Sequence, residues 1–282
     1  MMVARLGSAS AAASELGLHR ATVTRHIEVV EASLGAKLFL RHARGLDMTD
    51  AGKKVLEVSS RVEDMFIDLQ GRTRKETGQL SGELVVASLK GVTPLIMPAI
   101  RTYNAAYPAI SVSLVSGNEL AQLEYGEAHI AVRAGQKPAI SDYVVRPFRS
   151  VRFGLYAHRD YVKEVRKGKK KKVDLADYKY IGPTGDVDRS RSPYARWLET
   201  SVPNYETALQ VNDFETNLPA ILARVGVGVL ADHVGEAFSE LVTVVPPSKD
   251  KTVSLWILTH KDLKNVAKVD EFVRMLTETA VK

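Results

Sequence analysis

Apolar residues recur at helical spacing near the start of the chain and predict two short helices followed by a β wing. The second helix is expected over about residues 20–34, with its buried stripe at Val23, Ile27 and Val30. Gly17 lies between the two helical patterns, where a tight turn between helices often contains glycine. The pattern therefore indicates a helix-turn-helix.

The face of the second helix opposite the stripe is polar and suits a DNA major groove, where its first residues would meet base edges. An ordinary helix pair, such as many enzymes contain, fits the periodicity equally well. If the DNA hypothesis holds, helix residues contact bases and two wing arginines contact phosphates. The candidate DNA-binding residues are Arg20, Thr22, Thr24, Arg25, Arg41 and Arg44.

A long helix is predicted to begin after Thr49, whose hydroxyl suits a helix cap. Its apolar residues alternate by three and four over two heptads, as in a short coiled coil that pairs two subunits. The alternative is a single helix packed on its own domain. The polar, glycine-containing stretch Gly71–Gly82 is predicted to be a hinge. The apolar seam consists of Val55, Val58, Val62, Met65 and Leu69.

Strand and helix patterns alternate after Gly82, which predicts parallel sheets covered by helices. The strands expected are 83–88, 110–115, 129–133, 143–148, 153–157, 178–181, 208–211, 227–230, 241–245 and 253–259. The helices expected are 94–107, 118–125, 161–166, 192–199, 215–223 and 266–279. Thr93 is expected to cap the first of these helices, with Pro94 in its first position.

Ligands of open α/β sheets bind beyond the carboxyl ends of the strands. The helix start at Pro94 is expected to leave free N–H groups for a carboxylate or phosphate, and Lys90 and Arg133 add positive charge. A small organic acid is the expected ligand. The alternative is that Lys90 or Arg133 pairs with a local acid such as Glu119 or Asp213, which leaves a neutral site. The candidate ligand residues are Ser88, Lys90, Gly91, Val92, Thr93, Ser116, Asn118, Arg133, Thr184, Asp213 and Phe214.

Composition narrows the functional classes. The formal net charge is +6, but residues 1–78 hold twelve basic and ten acidic residues, so the placement of the arginines carries the DNA argument. Much of the excess lies in the basic run 166–172, which is expected to be a solvated loop. The chain has no cysteine, which excludes thiolate chemistry and suits the cytoplasm. The seven histidines show no metal-ligand spacing, no nucleophile elbow or phosphate-binding loop appears, and no signal peptide or membrane span is evident. We therefore expect neither an enzyme nor a bound cofactor.

The motifs of the first 52 residues resemble those of LysR-type transcriptional regulators. The matching residues follow the family patterns E-x-x-L-G-x-x-L-F-x-R and T-x-A-G: Glu31, Leu34, Gly35, Leu38, Phe39, Arg41, Thr49, Ala51 and Gly52. Two departures stand out. The usual Ser-Gln-Pro before the recognition helix is replaced by His19-Arg20-Ala21, and Val3–Leu6 correspond to only the last turn of the family's first helix.

The resemblance implies a winged helix-turn-helix over 1–49, a dimerising linker helix and hinge over 50–78, and an α/β effector-binding domain over 79–282. That domain would resemble a periplasmic binding protein, with two Rossmann-like subdomains over about 79–149 with 246–282 and about 150–245. The implied partners are double-stranded DNA, a small-molecule effector, further copies of the chain as a homodimer or homotetramer, and RNA polymerase. A solute-binding protein without DNA-binding activity is the alternative, but it leaves the first third of the chain unexplained.

Overall fold

The computed structural model describes residues 1–42, 45–73, 80–117, 128–167, 173–187 and 192–280. The helices are α1 Met2–Leu6, α2 Ala9–Leu16, α3 Arg20–Leu34, α4 Asp50–Thr73, α5 Thr93–Ala106, α6 Arg159–Arg166, α7 Pro193–Ser201, α8 Asn217–Leu222, α9 Asp232–Gly235 and α10 Ala267–Ala280. The strands are β1 Phe39–His42, β2 Gly45–Met48, β3 Gly82–Ser88, β4 Ile110–Ser116, β5 Ile130–Ala134, β6 Tyr143–His158, β7 Lys179–Pro183, β8 Glu206–Val211, β9 Gly228–Ala231, β10 Leu241–Val245 and β11 Thr252–His260.

The first unit is the predicted helix-turn-helix with a two-stranded antiparallel wing, β1–β2. Its small core joins Val3 of α1, the alanines of α2, and Val23 and Ile27 of α3. The predicted buried stripe is wrong at its far end, because Val30 is 41% exposed. The apolar core ends at Ile27, and beyond it the helix buries only Glu31, whose carboxylate meets the residues that lead into the wing.

The predicted long helix α4 is present, and Thr49 caps it as expected, since its hydroxyl accepts a hydrogen bond from the Gly52 N–H at 3.0 Å. Gly52 packs directly on the wing unit, because a Cβ atom there would lie only 2.1 Å from the carbonyl oxygen of Leu38. This close approach explains the glycine of the T-x-A-G motif. The helix continues through Gly71 to Thr73, so the predicted hinge begins later than expected; residues 74–79 lie outside the described part.

The remaining chain forms two α/β subdomains joined through a shared strand. In the first subdomain, β3 pairs in parallel with β4 and β5, and β11 runs antiparallel between β5 and β6. Helices α5 and α10 cover one face of this sheet, where Tyr103 and Phe272 meet edge to face. The all-parallel expectation is therefore wrong, because the strands that connect the subdomains return antiparallel.

The strands predicted over 143–148 and 153–157 form one continuous strand, β6. Its first half pairs with β11 in the first subdomain, and its second half pairs with β9 and β10 in the second. Parallel strands β7 and β8 complete the second subdomain, and Tyr180 of β7 bridges to Val227 just before β9. Strand β6 therefore runs through both subdomains. The region where they meet, with Gly91 on one side and Phe214 and Glu215 on the other, is called the cleft.

Several local predictions need comment. Thr93 is the first residue of α5 rather than its cap, because a 3₁₀ turn over Lys90–Val92 precedes it. The predicted helix 118–125 and most of the basic run lie outside the described residues. Among the residues that the structure describes, none of the helices combines the length and the apolar character that a membrane span needs.

Candidate functional site

The outward face of α3 carries exposed arginine side chains. Arg20 and Arg25 are exposed, and neither forms a hydrogen bond or ion pair with any residue in the described part of the chain. Thr22 and Thr24 are both half-buried. By helical spacing, Arg25 lies opposite the core stripe with Thr22 and Thr24 on its two flanks, whereas Arg20 lies nearer the stripe, at the first turn of the helix.

The start of α3 is weakly capped. His19 occupies the N-cap position but its side chain makes no cap hydrogen bond, whereas Ser8 caps α2 by accepting from the Ala11 N–H at 3.4 Å. The His19 carbonyl accepts the first backbone hydrogen bonds of the helix, from the N–H groups of Thr22 and Val23. Loss of the usual serine therefore leaves this end of the helix without a side-chain cap.

A buried acid fixes the wing relative to α3. Glu31 accepts from the Leu38 N–H at 2.9 Å and from Nζ of Lys37 at 2.6 Å, and it is only 8% exposed. The hydrogen bond from Lys37, together with the backbone bond, holds the pKa of Glu31 below its ordinary value. The two arginines predicted to contact phosphate come after Leu38 in the chain. Arg41 lies in β1 but its side chain is outside the described part, as is all of Arg44.

One wall of the cleft is the turn after β3. Ser88 is buried, and its hydroxyl lies 3.3 Å from that of Thr93. The N–H groups of Val92 and Thr93 both donate to the Leu89 carbonyl. The prediction that these N–H groups are free is therefore wrong, because the 3₁₀ turn satisfies them within the chain.

The structure does not bring together all the predicted residues of this wall. Val92 is buried in the apolar core beneath α5. Arg133 faces Trp256 across the β5–β11 pair, and strand alternation places it on the sheet face opposite Ser88. Ser116 is exposed at the end of β4, in register with Ser88, and Asn118 lies outside the described residues.

The opposite wall is formed by the second subdomain. An open cavity of about 330 Å³ is lined by Thr184, Asp186, Gln210, Asp213 and Thr216, among others. Asp213 accepts from the hydroxyl and the N–H of Thr216, at 2.6 and 2.8 Å. These bonds, and more weakly the nearby charge of Lys90, hold the pKa of Asp213 below its ordinary value. Lys90 of the first subdomain therefore lies within electrostatic range of Asp213 in the second.

The two walls meet at Gly91. A Cβ atom there would lie 3.6 Å from the ring of Phe214 and 4.0 Å from Oε1 of Glu215. The Gly91 carbonyl lies 3.1 Å from Nε2 of His233, whose pKa is lowered mainly by burial. Since the imidazole is then neutral near pH 7, we assign its Nε2–H as the donor. The predicted Gly91 and Phe214 thus come together across the cleft.

Sequence reasoning missed Glu215 and His233. Glu215 was expected inside a helix, but α8 begins only at Asn217, so Glu215 stays in the turn that faces Gly91. His233 follows strand β9, and the rule about carboxyl ends of strands would have selected it had it been applied there. No group of three or more residues that could hold a metal ion occurs within the described ranges.

Family comparisons cover nearly the whole chain. A family model described as "LysR substrate binding domain" matches residues 77–281. A second model, "Bacterial regulatory helix-turn-helix protein, lysR family", matches residues 1–53. Together they span both the unit with the basic helix and the unit with the cleft.

Individual relatives agree with these matches. An HTH-type transcriptional regulator of Xanthomonas campestris pv. campestris is 33% identical over 162 residues, which are 57% of this chain and 46% of that protein. The chain therefore spans less than half the length of this relative. ArgP from Mycobacterium tuberculosis has a similar fold, with a TM-score of 0.74 at 17% identity over 99% of this chain and 94% of that one. Full-length CbnR in complex with its target DNA gives a TM-score of 0.53 at 22% identity, covering 99% and 96%.

Proposed function

This chain belongs to the LysR family of bacterial regulatory proteins, and we propose that it is a sequence-specific DNA-binding regulator controlled by a small molecule. One observation carries the proposal. The exposed guanidinium groups of Arg20 and Arg25 have no partner in the described residues, on a helix face that a winged unit presents to solvent. Unpaired arginines on such a helix are suited to bidentate contacts with guanine in the major groove.

The proposed active form is a homodimer joined along α4. In the single chain, apolar side chains of this helix are about half exposed, which is unusual for a contiguous surface unless it is an interface. A single recognition helix reads too few bases for specificity, so paired half-sites call for two copies. The exposed residues are Val58, Val62, Met65, Phe66 and Leu69, at 49–61% exposure.

The proposed effector site is the cleft between the subdomains. Its walls offer the hydroxyls of Ser88 and Thr93, the ammonium of Lys90, and the polar cavity beside Asp213. A small organic acid suits the hydroxyl and lysine side of the cleft. An effector enclosed here would contact both subdomains, and it would therefore favour one relative arrangement over the other.

Other parts of the proposal follow from the regulator role. A protein that acts on bacterial DNA works in the cytoplasm, and RNA polymerase is a further proposed partner. The role requires no catalysis and no cofactor. A solute-binding protein without DNA-binding activity accounts for the cleft, but it gives no reason for an unpaired arginine surface on a winged helix.

The proposal is tested with Arg25→Ala in the full-length protein. The probe is a duplex that the wild type enriches from a random library, measured by fluorescence anisotropy against a scrambled duplex. Loss of a bidentate base contact should weaken binding to the enriched duplex by about 1–3 kcal/mol and leave the scrambled duplex less affected. Glu15→Gln, on the exposed side of α2, is the control. Unchanged affinity of Arg25→Ala for the enriched duplex would refute the assignment of α3 as the reading helix.

A further inference from the structure

Glu215 carries an unsatisfied polar atom in the cleft. Its Oε2 atom is shielded from solvent and has no hydrogen-bond partner among the residues that the structure describes. Its Oε1 atom approaches the backbone of Gly91 from the other subdomain. Buried carboxylate oxygens are normally paired, because desolvating a charge without a partner is costly. An unpaired oxygen at the meeting point of two subdomains indicates a site for a donor that arrives from outside the chain.

The surroundings of Glu215 are acidic and aromatic. The carboxylate of Asp213 lies two residues before it, held by Thr216, and Asp186 lines the adjoining cavity. The Phe214 ring packs edge-on against Phe153, with ring centroids 5.7 Å apart, and at a tilt against Tyr194, with centroids 5.0 Å apart. Carboxylates beside aromatic rings favour a positively charged group, through hydrogen bonds and through the electron-rich ring faces.

A simple anion is a poor match for the Glu215 side of the cleft. Lys90 is near enough to Asp213 to contribute to the lowered pKa of that carboxyl, and Arg133 lies on the far face of the sheet. A plain carboxylic acid would bring a further negative charge towards Glu215, and like charges in a partly desolvated site repel strongly. A ligand that brings its own positive charge removes this conflict.

Resting on the proposed effector role of the cleft, we propose that the effector is an amino acid, and that Glu215 binds its ammonium group. The carboxylate of the ligand lies on the Ser88, Lys90 and Thr93 side, and its ammonium faces Glu215. The two sides are close, since Gly91 adjoins both Lys90 and Glu215. A molecule whose two charged groups sit on the same or adjacent carbons can reach two sides that adjoin in this way.

The test uses thermal unfolding of the full-length protein with each of the twenty common amino acids and with the deaminated carboxylic acid that matches each of them. At least one amino acid should raise the Tm while its deaminated partner does not. Glu215→Gln should then raise the Kd for that amino acid by at least about tenfold in calorimetric titration, the usual effect of losing a charge-assisted hydrogen bond. Glu236→Gln removes an exposed carboxylate of the same subdomain and should leave the affinity unchanged.

The unliganded variant gives an independent readout. Removing a half-buried carboxylate whose Oε2 atom has no partner among the described residues should leave the Tm of Glu215→Gln equal to or above that of the wild type. The inference is overturned if the deaminated acids stabilise as well as the amino acids, if none of the twenty raises the Tm, or if Glu215→Gln binds with wild-type affinity. Stabilisation by the deaminated acids alone would leave the proposed effector role intact while contradicting an ammonium site.

Discussion

Substitutions at Glu31 should reveal what holds the wing in place. Two contacts converge on this buried carboxylate: the backbone N–H of Leu38 at 2.9 Å and the Lys37 ammonium at 2.6 Å. Leu38 is 5% exposed, so an unpaired N–H there would cost about 1–3 kcal/mol. The Lys37 side chain is 74% exposed, and a pair with so exposed a partner contributes below about 1 kcal/mol. The backbone bond should therefore dominate.

The expected order of destabilisation is Glu31→Ala, then Glu31→Gln, then Lys37→Met. The alanine variant loses both contacts, about 2–3 kcal/mol in total, whereas glutamine keeps an acceptor for Leu38 and loses only the charge. Hydrogen–deuterium exchange of peptides covering residues 31–42 measures the local opening free energy in the full-length chain. If Lys37→Met opens this region as much as Glu31→Ala, the ion pair rather than the backbone bond fixes the wing.

The same pair predicts a pH dependence. The pKa of Glu31 is lowered in the folded state from its ordinary value of 4.5, chiefly by the hydrogen bond from Lys37. Its charged form therefore stabilises the fold above that ordinary value, and the contribution is lost as the pH falls through the lowered pKa. The difference in local opening free energy between wild type and Glu31→Gln should have its full size at pH 7 and should shrink below about pH 4. A difference that stays constant to lower pH would contradict the role of the charge.

Two further substitutions test the linker helix. Gly52→Ala places a Cβ atom 2.1 Å from the Leu38 carbonyl oxygen, so α4 and the wing must separate at a cost of about 1–3 kcal/mol. Hydrogen–deuterium exchange over residues 38–52 should become faster, and the exposed control Lys54→Ala should not change it. Exchange at the wild-type rate in Gly52→Ala would refute the close packing. Val62→Asp should convert dimers into monomers in sedimentation velocity, while Ser60→Asp, on the opposite face of α4, should stay dimeric. A dimeric Val62→Asp protein would exclude the proposed seam.

Element types along the chain were largely predictable, because helical and strand periods depend on local sequence. The long helix after Thr49, the strand–helix alternation and the closing helix are all present near their expected bounds. Strand direction was not predictable in this way. Residues 143–158 look like two strands, because Arg149, Ser150 and Arg152 interrupt the apolar pattern, yet pairing with β11, β9 and β10 makes them one.

The two candidate sites also differ in how far local sequence predicts them. Arg25 could be selected from one helix alone, since its exposure follows from its spacing relative to Val23. Arg20 is exposed because it is the first residue of the helix, although its spacing places it near the buried stripe. The cleft depends on contacts between distant segments: Gly91 and Glu215 are far apart in sequence, and only the tertiary fold brings them together. Arg133 was predicted to line the cleft because it ends a strand, but the end of a strand does not determine which sheet face a side chain lies on. Strand alternation places Arg133 on the other face.

The most direct test of the central claim is the selection of DNA by the full-length protein from a random duplex library, followed by sequencing of the retained molecules. A dimer with two α3 helices should enrich two inverted copies of one short sequence, centred about one helical turn apart or a multiple of it, roughly 10 base pairs. Recovery of such paired half-sites would support both the reading helix and the linker dimer. Retained molecules with no enriched sequence, or with a single unpaired element, would contradict the account.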